Sequence, residues 1–448
     1  MAPKEKEIGR IQEESPPETT AISPNGDLVL DIHNEARNQV FSYRVSAEQV
    51  KQASPYFVRL LDPSKFGEGQ KVAETLKELR TTYADIGDAP AKELPRVSIV
   101  DIGRISKVNT IQNLVADFLR ILHGIEISTP VPPLPNLANL AVVADRFDAL
   151  THFSAYAQRK KVFTTIDARG KGKLASLTEE RLRQKLLVGL LLDHSSWIST
   201  ASKRLIIGGS VQWKSDAEED EELASWWDMP HGLEDEMLSR REFVLDTLQS
   251  VLSHFLEIYS SGERQCKLGY DSSTQCDSFQ LGEMVRFFTR TNMLRLQGTL
   301  SGSDATESYS GDIERLLESL RKSQSYQLDR NHTHCGLRTR LVPMLDQVEL
   351  YLIGGKVIDV GICGECWQAN RHRCAWKDVK RPVAWRPAAI HTASGKARGV
   401  AGGEGCLAYH NKIRDMFTAV SRDWTSRDTD GVGTGIRFGA HTPFLKFE

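Results

Sequence analysis

The chain has 448 residues, 40% of them hydrophobic and 26% charged, with 33 Gly, 17 Pro, 7 Cys and a formal net charge of −2. That length is enough for about two to four domains, and the composition excludes collagen-like and fully disordered chains. The near-neutral charge gives no global pull toward nucleic acid or an anionic membrane, and a small, odd cysteine count does not describe a secreted disulfide scaffold.

The N-terminus, MAPKEKEIGRIQEE, is charged and lacks the apolar region of a signal peptide. The longest apolar run, Leu186 to Leu192, is far short of the roughly 20 residues needed to span a bilayer. The expectation is a cytoplasmic or nuclear protein with reduced thiols and no membrane contact. Charge is uneven along the chain. Residues 331–448 carry 17 Lys+Arg against 11 Asp+Glu, and they hold five of the seven cysteines and six of the twelve histidines. Composition therefore suggests four parts: a disordered tail over 1–24, an ordered domain over 25–165, a helical region over 176–330 with an acidic loop at 216–222, and a basic Cys/His region over 331–448.

The elements of the first third follow from pattern. Asp27 to Ile32 alternates apolar and polar residues after Pro24-Asn25-Gly26, and Val40 to Val45 is a second short strand, so the two predict a hairpin. Ser46, three residues before Gln49, has capping-box spacing. Val50, Ala53, Phe57, Leu60 and Leu61 form a helical stripe that Ser54-Pro55 must break. A loop over 63–69 and a polar helical stretch lead to a strand at Arg96–Asp101. Asn109 to His123 is a strongly amphipathic helix with Gly124 as its stop. A proline-rich turn then leads to helices over 137–150 and 152–162. Strands first and helices later, without a βαβ rhythm, predict an α+β fold in which helices cover a small sheet.

In this order of elements, Ala53-Ser54-Pro55-Tyr56-Phe57, Phe66-Gly67-Glu68 and Leu140-Ala141-Val142-Val143-Ala144-Asp145-Arg146-Phe147 resemble a BTB/POZ domain over roughly residues 24–165. The resemblance implies a non-enzymatic protein-interaction module that self-associates, as a homodimer, and docks a cullin scaffold of a ubiquitin ligase as a substrate adaptor. Cullin-binding members carry a hydrophobic-x-Glu triplet after the second helix, which Phe66-Gly67-Glu68 matches. Phe66 would fill a partner pocket and Glu68 would pair at its rim, with Phe57 the third residue expected on the partner-binding surface. The segment Gln70–Leu94 is longer and more polar than a compact BTB loop.

The middle of the chain reads as helical. Ser176 with Glu179 caps a helix through Leu192, and Phe243–Tyr259, Phe279–Leu294 and Ile313–Leu320 follow. Nothing here spells catalysis. Arg169-Gly170-Lys171-Gly172-Lys173, within a Gly/Lys linker over 167–173, lacks phosphate-loop spacing, and no G-x-S-x-G or H-E-x-x-H occurs. Asp193-His194-Ser195 are adjacent and cannot converge on one site. No catalytic residue is assigned.

Cys363-Gly364-Glu365-Cys366 is a C-x-x-C knuckle whose thiolates can converge on one tetrahedral zinc, with His372 and Cys374 closing the site locally. Cys335 with His332 and His334, or Cys406 with His410, are alternative ligands from farther away. Such a structural zinc would staple a Gly-rich segment with a small core. Arg371, Arg373, Trp376, Lys377, Lys380, Arg381, Trp385 and Arg386 interleave charge with aromatic rings. A competing expectation is therefore a zinc-stabilised nucleic-acid-binding or transcription-regulatory protein, its tryptophans stacking on bases.

Overall fold

The computed structural model describes residues 18–34, 38–106, 111–170, 177–213, 223–266, 268, 273–291, 309–332, 335–353, 359–386 and 404–424. Among them the chain is mixed α+β, mostly helical, with a small N-terminal sheet. It divides into two compact units, residues 1–204 with 216–234, and residues 205–215 with 235–448.

In the first unit the expected hairpin forms. Strand β2 (Leu28–Asn34) runs antiparallel to β3 (Gln39–Val45), with Leu28 opposite Val45. Strand β4 (Arg96–Ile99) returns parallel to β2, and a short β1 (Thr19–Ala21) adds parallel to β3, giving the order β1-β3-β2-β4. Strand β1 comes from residues whose composition suggested a tail; the remainder of that tail, 1–17, lies outside the described residues. In β2, Leu28, Val29, Leu30 and Ile32 are all buried. Both faces of the strand are covered, which simple alternation did not anticipate. The second face is covered by the long polar segment: helix α3 (Gly67–Thr82) brings Leu79 onto Val29, together with Ala89 and Leu94.

The break at Ser54-Pro55 is equally legible. Helix α1 (Ala47–Ala53) starts at Ser46, whose Oγ accepts from the Gln49 amide, and α2 (Pro55–Leu60) starts at Ser54, whose Oγ accepts from Phe57 N. The same hydroxyl donates to Phe147 O at 2.5 Å. Helix α4 (Ile111–Leu122) ends before Gly124, which takes φ +68, a conformation that favours glycine. Helices α5 (Leu134–Arg146), α6 (Leu150–Arg159) and α7 (Val162–Arg169) follow. Phe57 and Phe118 each stack on Phe147 with ring centroids 5.4 Å apart.

The composition breaks are not where the units divide. Asp167 to Arg169, expected in a linker, complete α7, and Asp167 accepts from Lys185 Nζ at 2.8 Å and Trp197 Nε1 at 3.0 Å. Helix α8 (Glu179–Leu191) belongs to the first unit and packs on α5; its cap is Thr178, not Ser176, which lies outside the described residues. Helix α9 (Ser195–Gly208) begins in this unit, and Gly189 leaves room for Trp197 at its start. Arg183, fully buried, is held by Glu179 and Glu234 and lies over the Trp227 ring. The acidic run 216–222 lies outside the described residues.

The second unit contains most of α10 (Leu233–Ser260), then α11 (Ser273–Arg290), α12 (Ile313–Arg321), α13 (Leu337–Leu352), α14 (Gly364–Cys374), α15 (Glu404–Thr418) and a two-residue parallel pair, β5 (Ala384–Trp385) with β6 (Ser421–Arg422). Along α10 a stripe of Val244, Leu248, Val251, Leu252 and Phe255 is buried, as its periodicity requires. Residues on both sides of 330 belong to this one unit, so the compositional change near Asn331 does not coincide with the division between the units.

Candidate metal centres

Two groups of Cys and His in the second unit could each hold a metal ion: Cys363, Cys366, Cys406 and His410, and Cys266, Cys276, His332 and Cys335. Within each group the ligand atoms all lie within 4.8 Å of one another. Six of the seven cysteines are therefore gathered into two Cys3His sets.

The first group begins at the C-x-x-C knuckle. Cys363 is the N-cap residue of α14 and Cys366 lies in its first turn, so the turn places both sulfurs at one helix end. The other pair comes from α15, where Cys406 and His410 are four residues apart and share a face. Cys366 Sγ and Cys406 Sγ are 3.8 Å apart, and Cys406 Sγ lies 3.1 Å from His410 Nε2. Zn–S bonds of about 2.3 Å meeting at a tetrahedral angle set neighbouring sulfurs about 3.8 Å apart, so the sulfur pair fits one zinc ion. Burial, followed by the charge of Arg240, pushes the His410 pKa down to about 4, which keeps the imidazole in its neutral, metal-binding form. Burial and the neighbouring Cys363 push the Cys366 thiol up, the penalty a divalent cation would remove.

The expected local closure does not form. His372 is exposed on α14, and Cys374 is buried outside the group, its thiol directed at Cys366 O, 3.4 Å away, and Arg371 O. Burial pushes the Cys374 thiol up to about 11. Asn370, at φ −140° and ψ 39°, breaks the helix and returns Cys374 to the Cys366 carbonyl, where its thiol is directed at backbone oxygens, while His372 is left facing solvent. Cys406 and His410 take their places. They had a sequence signal, Cys and His at i and i+4, but a sequence does not say which helix lies opposite.

A buried ion pair frames this group. Arg240 Nε donates to Glu236 Oε1 at 2.7 Å across one turn of α10. Arg240 also donates to Val360 O, Gly361 O and Cys374 O, while the Glu236 carboxylate accepts from Trp376 N and Lys377 N. One pair of side chains thus grips the chain just before Cys363 and just after Cys374. Arg414 Nη1, donating to Arg373 O at 2.8 Å, ties α15 to α14.

In the second group, Cys266 Sγ is 3.8 Å from Cys335 Sγ and 3.5 Å from His332 Nδ1. Burial raises the Cys266 pKa, but the nearby Ser273 hydroxyl, the Leu268 amide and the neighbouring thiols outweigh it and hold the group at about 7. Burial, with Cys335 and Cys266 beside it, pushes Cys276 up.

The partner-binding residues of the first unit separate. Phe66 is half-exposed at the N-cap of α3 and Glu68 is exposed in its first turn. Phe57 is fully buried in the aromatic stack and is a core residue, not a contact for a partner. In the basic-aromatic patch the Lys and Arg residues stay exposed while the rings turn inward. Trp376 is buried and stacks on Phe417, Trp367 is buried under Arg371, and half-buried Trp385 meets Trp424 edge-on. Trp376, enclosed in this way, is not offered to bases. Among the described residues, no helix is long and apolar enough to cross a membrane. No protein-family model, curated protein or solved structure matches the chain.

Proposed function

We propose that this chain is a non-enzymatic interaction protein whose first unit is a BTB/POZ-like recognition module docking a cullin-type scaffold through Phe66 and Glu68. The observation that carries the reading is the exposure of Phe66, a large apolar ring left 49% accessible beside an exposed carboxylate. A ring left in water next to a charge is the usual anchor-and-rim arrangement of a protein interface. The order of elements supports the same reading: a hairpin, two helices broken at Ser54-Pro55, a strand returning parallel to the first, and then helices. In this view the second unit supplies a folded platform stapled by zinc at Cys363, Cys366, Cys406 and His410.

The test is co-precipitation with a cullin from cell extract, comparing the parent chain with Phe66→Ala/Glu68→Ala. Both positions are exposed, so the double variant should fold with stability within about 0.5 kcal/mol of the parent. Loss of the cullin with an unchanged melting profile is the expected outcome; equal recovery by both proteins would end the reading.

A further inference from the structure

We propose that Cys266, Cys276, His332 and Cys335 form a second, fully enclosed structural zinc site, separate from the one at the C-x-x-C knuckle. Only His332 and Cys335, three residues apart, make a short spacing, and Cys266 and Cys276 join them from far earlier in the chain. Cys266 follows the end of α10, Cys276 lies in the first turn of α11, His332 closes a 3₁₀ turn at Arg330–His332, and Cys335 stands just before α13. All four are buried, with relative exposures of 4%, 0%, 1% and 3% in chain order.

The distances favour a single tetrahedral ion. Zn–S bonds of about 2.3 Å and a Zn–N bond of about 2.0–2.1 Å imply edges of about 3.8 Å between sulfurs and about 3.6 Å from sulfur to nitrogen. The observed edges are 3.8 Å for Cys266–Cys335 and 3.5 Å for Cys266–His332. Four ligands at such edges complete the shell of one tetrahedral ion, and the sulfurs stand well beyond the roughly 2.05 Å of a disulfide. Three thiolates and one imidazole around a closed tetrahedral position are the ligand set of a structural zinc.

The surroundings are built for ligation. His332 turns Nδ1 toward Cys266, while Nε2 faces Asp329 Oδ2 at 3.7 Å. A carboxylate thus stands on the side of the ring opposite the ligating atom, the place second-shell groups take behind metal-bound histidines. The residues next to the ligands are fastened as well. Gln265 N donates to Asp277 Oδ2, Arg340 donates to Gln265 O and Oε1, and the Tyr259 hydroxyl donates to Cys335 O. Where these segments meet, the apolar cluster consists of Cys266, Cys276 and Cys335, with part-buried Leu268 against it. Sulfur occupies the place where a core would ordinarily put larger branched and aromatic side chains, since a free Cys packs only as a small hydrophobe. A bound ion would close the loop from Cys266 to Cys335 and brace α11 against the start of α13.

Zinc content of the purified full chain, measured by mass spectrometry of the metal, tests the proposal. Two zinc ions per chain are expected, falling to one in Cys276→Ser/Cys335→Ser and to one in Cys363→Ser/Cys406→Ser. A single ion that survives Cys276→Ser/Cys335→Ser but is lost with Cys363→Ser/Cys406→Ser would overturn the proposal and leave the knuckle site standing. The reverse pattern would keep this site and remove the other; a chain with no zinc overturns both. Should the serine variants not fold, His332→Cys in the cobalt-substituted chain serves instead. A fourth thiolate must shift the ligand-field bands if residue 332 ligates, and an unchanged spectrum overturns the assignment.

Discussion

The two units solve the problem of a core differently. In the first, Phe57, Phe118 and Phe147 stack behind a four-stranded sheet whose central strand is covered on both faces. In the second, a buried helical stripe on α10 is supplemented by two sets of thiols and imidazoles and by a buried Glu236–Arg240 pair. The difference teaches where each unit is vulnerable. Apolar packing responds to lost volume, whereas clusters of thiols respond to metal, and buried ions respond to the loss of a partner.

The largest expected effect therefore falls on the second unit alone. A structural zinc contributes on the order of 10–16 kcal/mol of apparent binding free energy in small domains. Chelation should strip hydrogen-exchange protection from peptides spanning 260–424 while peptides of the sheet and α4–α8 keep theirs. Equal loss in both units, or none, would break the comparison. The converse perturbation is Phe147→Ala, which removes the ring shared by both stacks and should cost about 3–5 kcal/mol with zinc content unchanged.

Arg240→Met sharpens the contrast within the second unit. It leaves Glu236 buried without its partner, so a loss of about 3–5 kcal/mol is expected, with zinc at the knuckle site bound more weakly. Adding Glu236→Gln, which keeps an acceptor for Trp376 N without the charge, should recover part of that loss. A denaturation cycle over the four chains reads the coupling, and strict additivity would show that the pair does not act as one.

The smallest effect is a pH dependence of the first unit. His123 accepts from Ser46 N at Nε2 and donates from Nδ1 to Leu119 O, an arrangement that requires the neutral ring. Burial pushes its pKa below the ordinary 6.5, and burial does the same to His194, which stacks on Phe163. Above pH 6.5 the ring is neutral in both folded and unfolded chains, and stability is fully present. Below that value the unfolded chain takes up the proton first, so stability falls with pH. The urea midpoint of the first unit should drop between pH 7.5 and 5.5, and His123→Gln should flatten part of the drop. A midpoint independent of pH would remove the buried rings from the account.

How much of this was legible in the sequence depends on how local the signal is. The hairpin, the cap at Ser46, the break at Ser54-Pro55 and the stop at Gly124 are each set by residues within a few positions of one another. The knuckle Cys363-x-x-Cys366 is local too, and it forms. Its remaining ligands were not local. Cys406 lies 40 residues from Cys366, and only the packing of α15 against α14 selects it over nearby His372 and Cys374. The second group was less legible still, with Cys266 66 positions from His332 and 69 from Cys335.

The same division holds for burial. Periodicity alone placed Phe57 on a helical stripe, but whether that stripe met a partner or the chain's own Phe147 was decided in three dimensions. Tryptophans interleaved with basic residues look alike in sequence whether they stack on bases or seal a core, and tertiary packing put Trp367 and Trp376 inside. By itself the sequence determined the local geometry: which segments are strands and helices, where they break, and that thiols and imidazoles concentrate late in the chain. Only the tertiary structure decided which of them meet, because convergence of distant ligands depends on how whole elements pack and not on the spacing within any one of them.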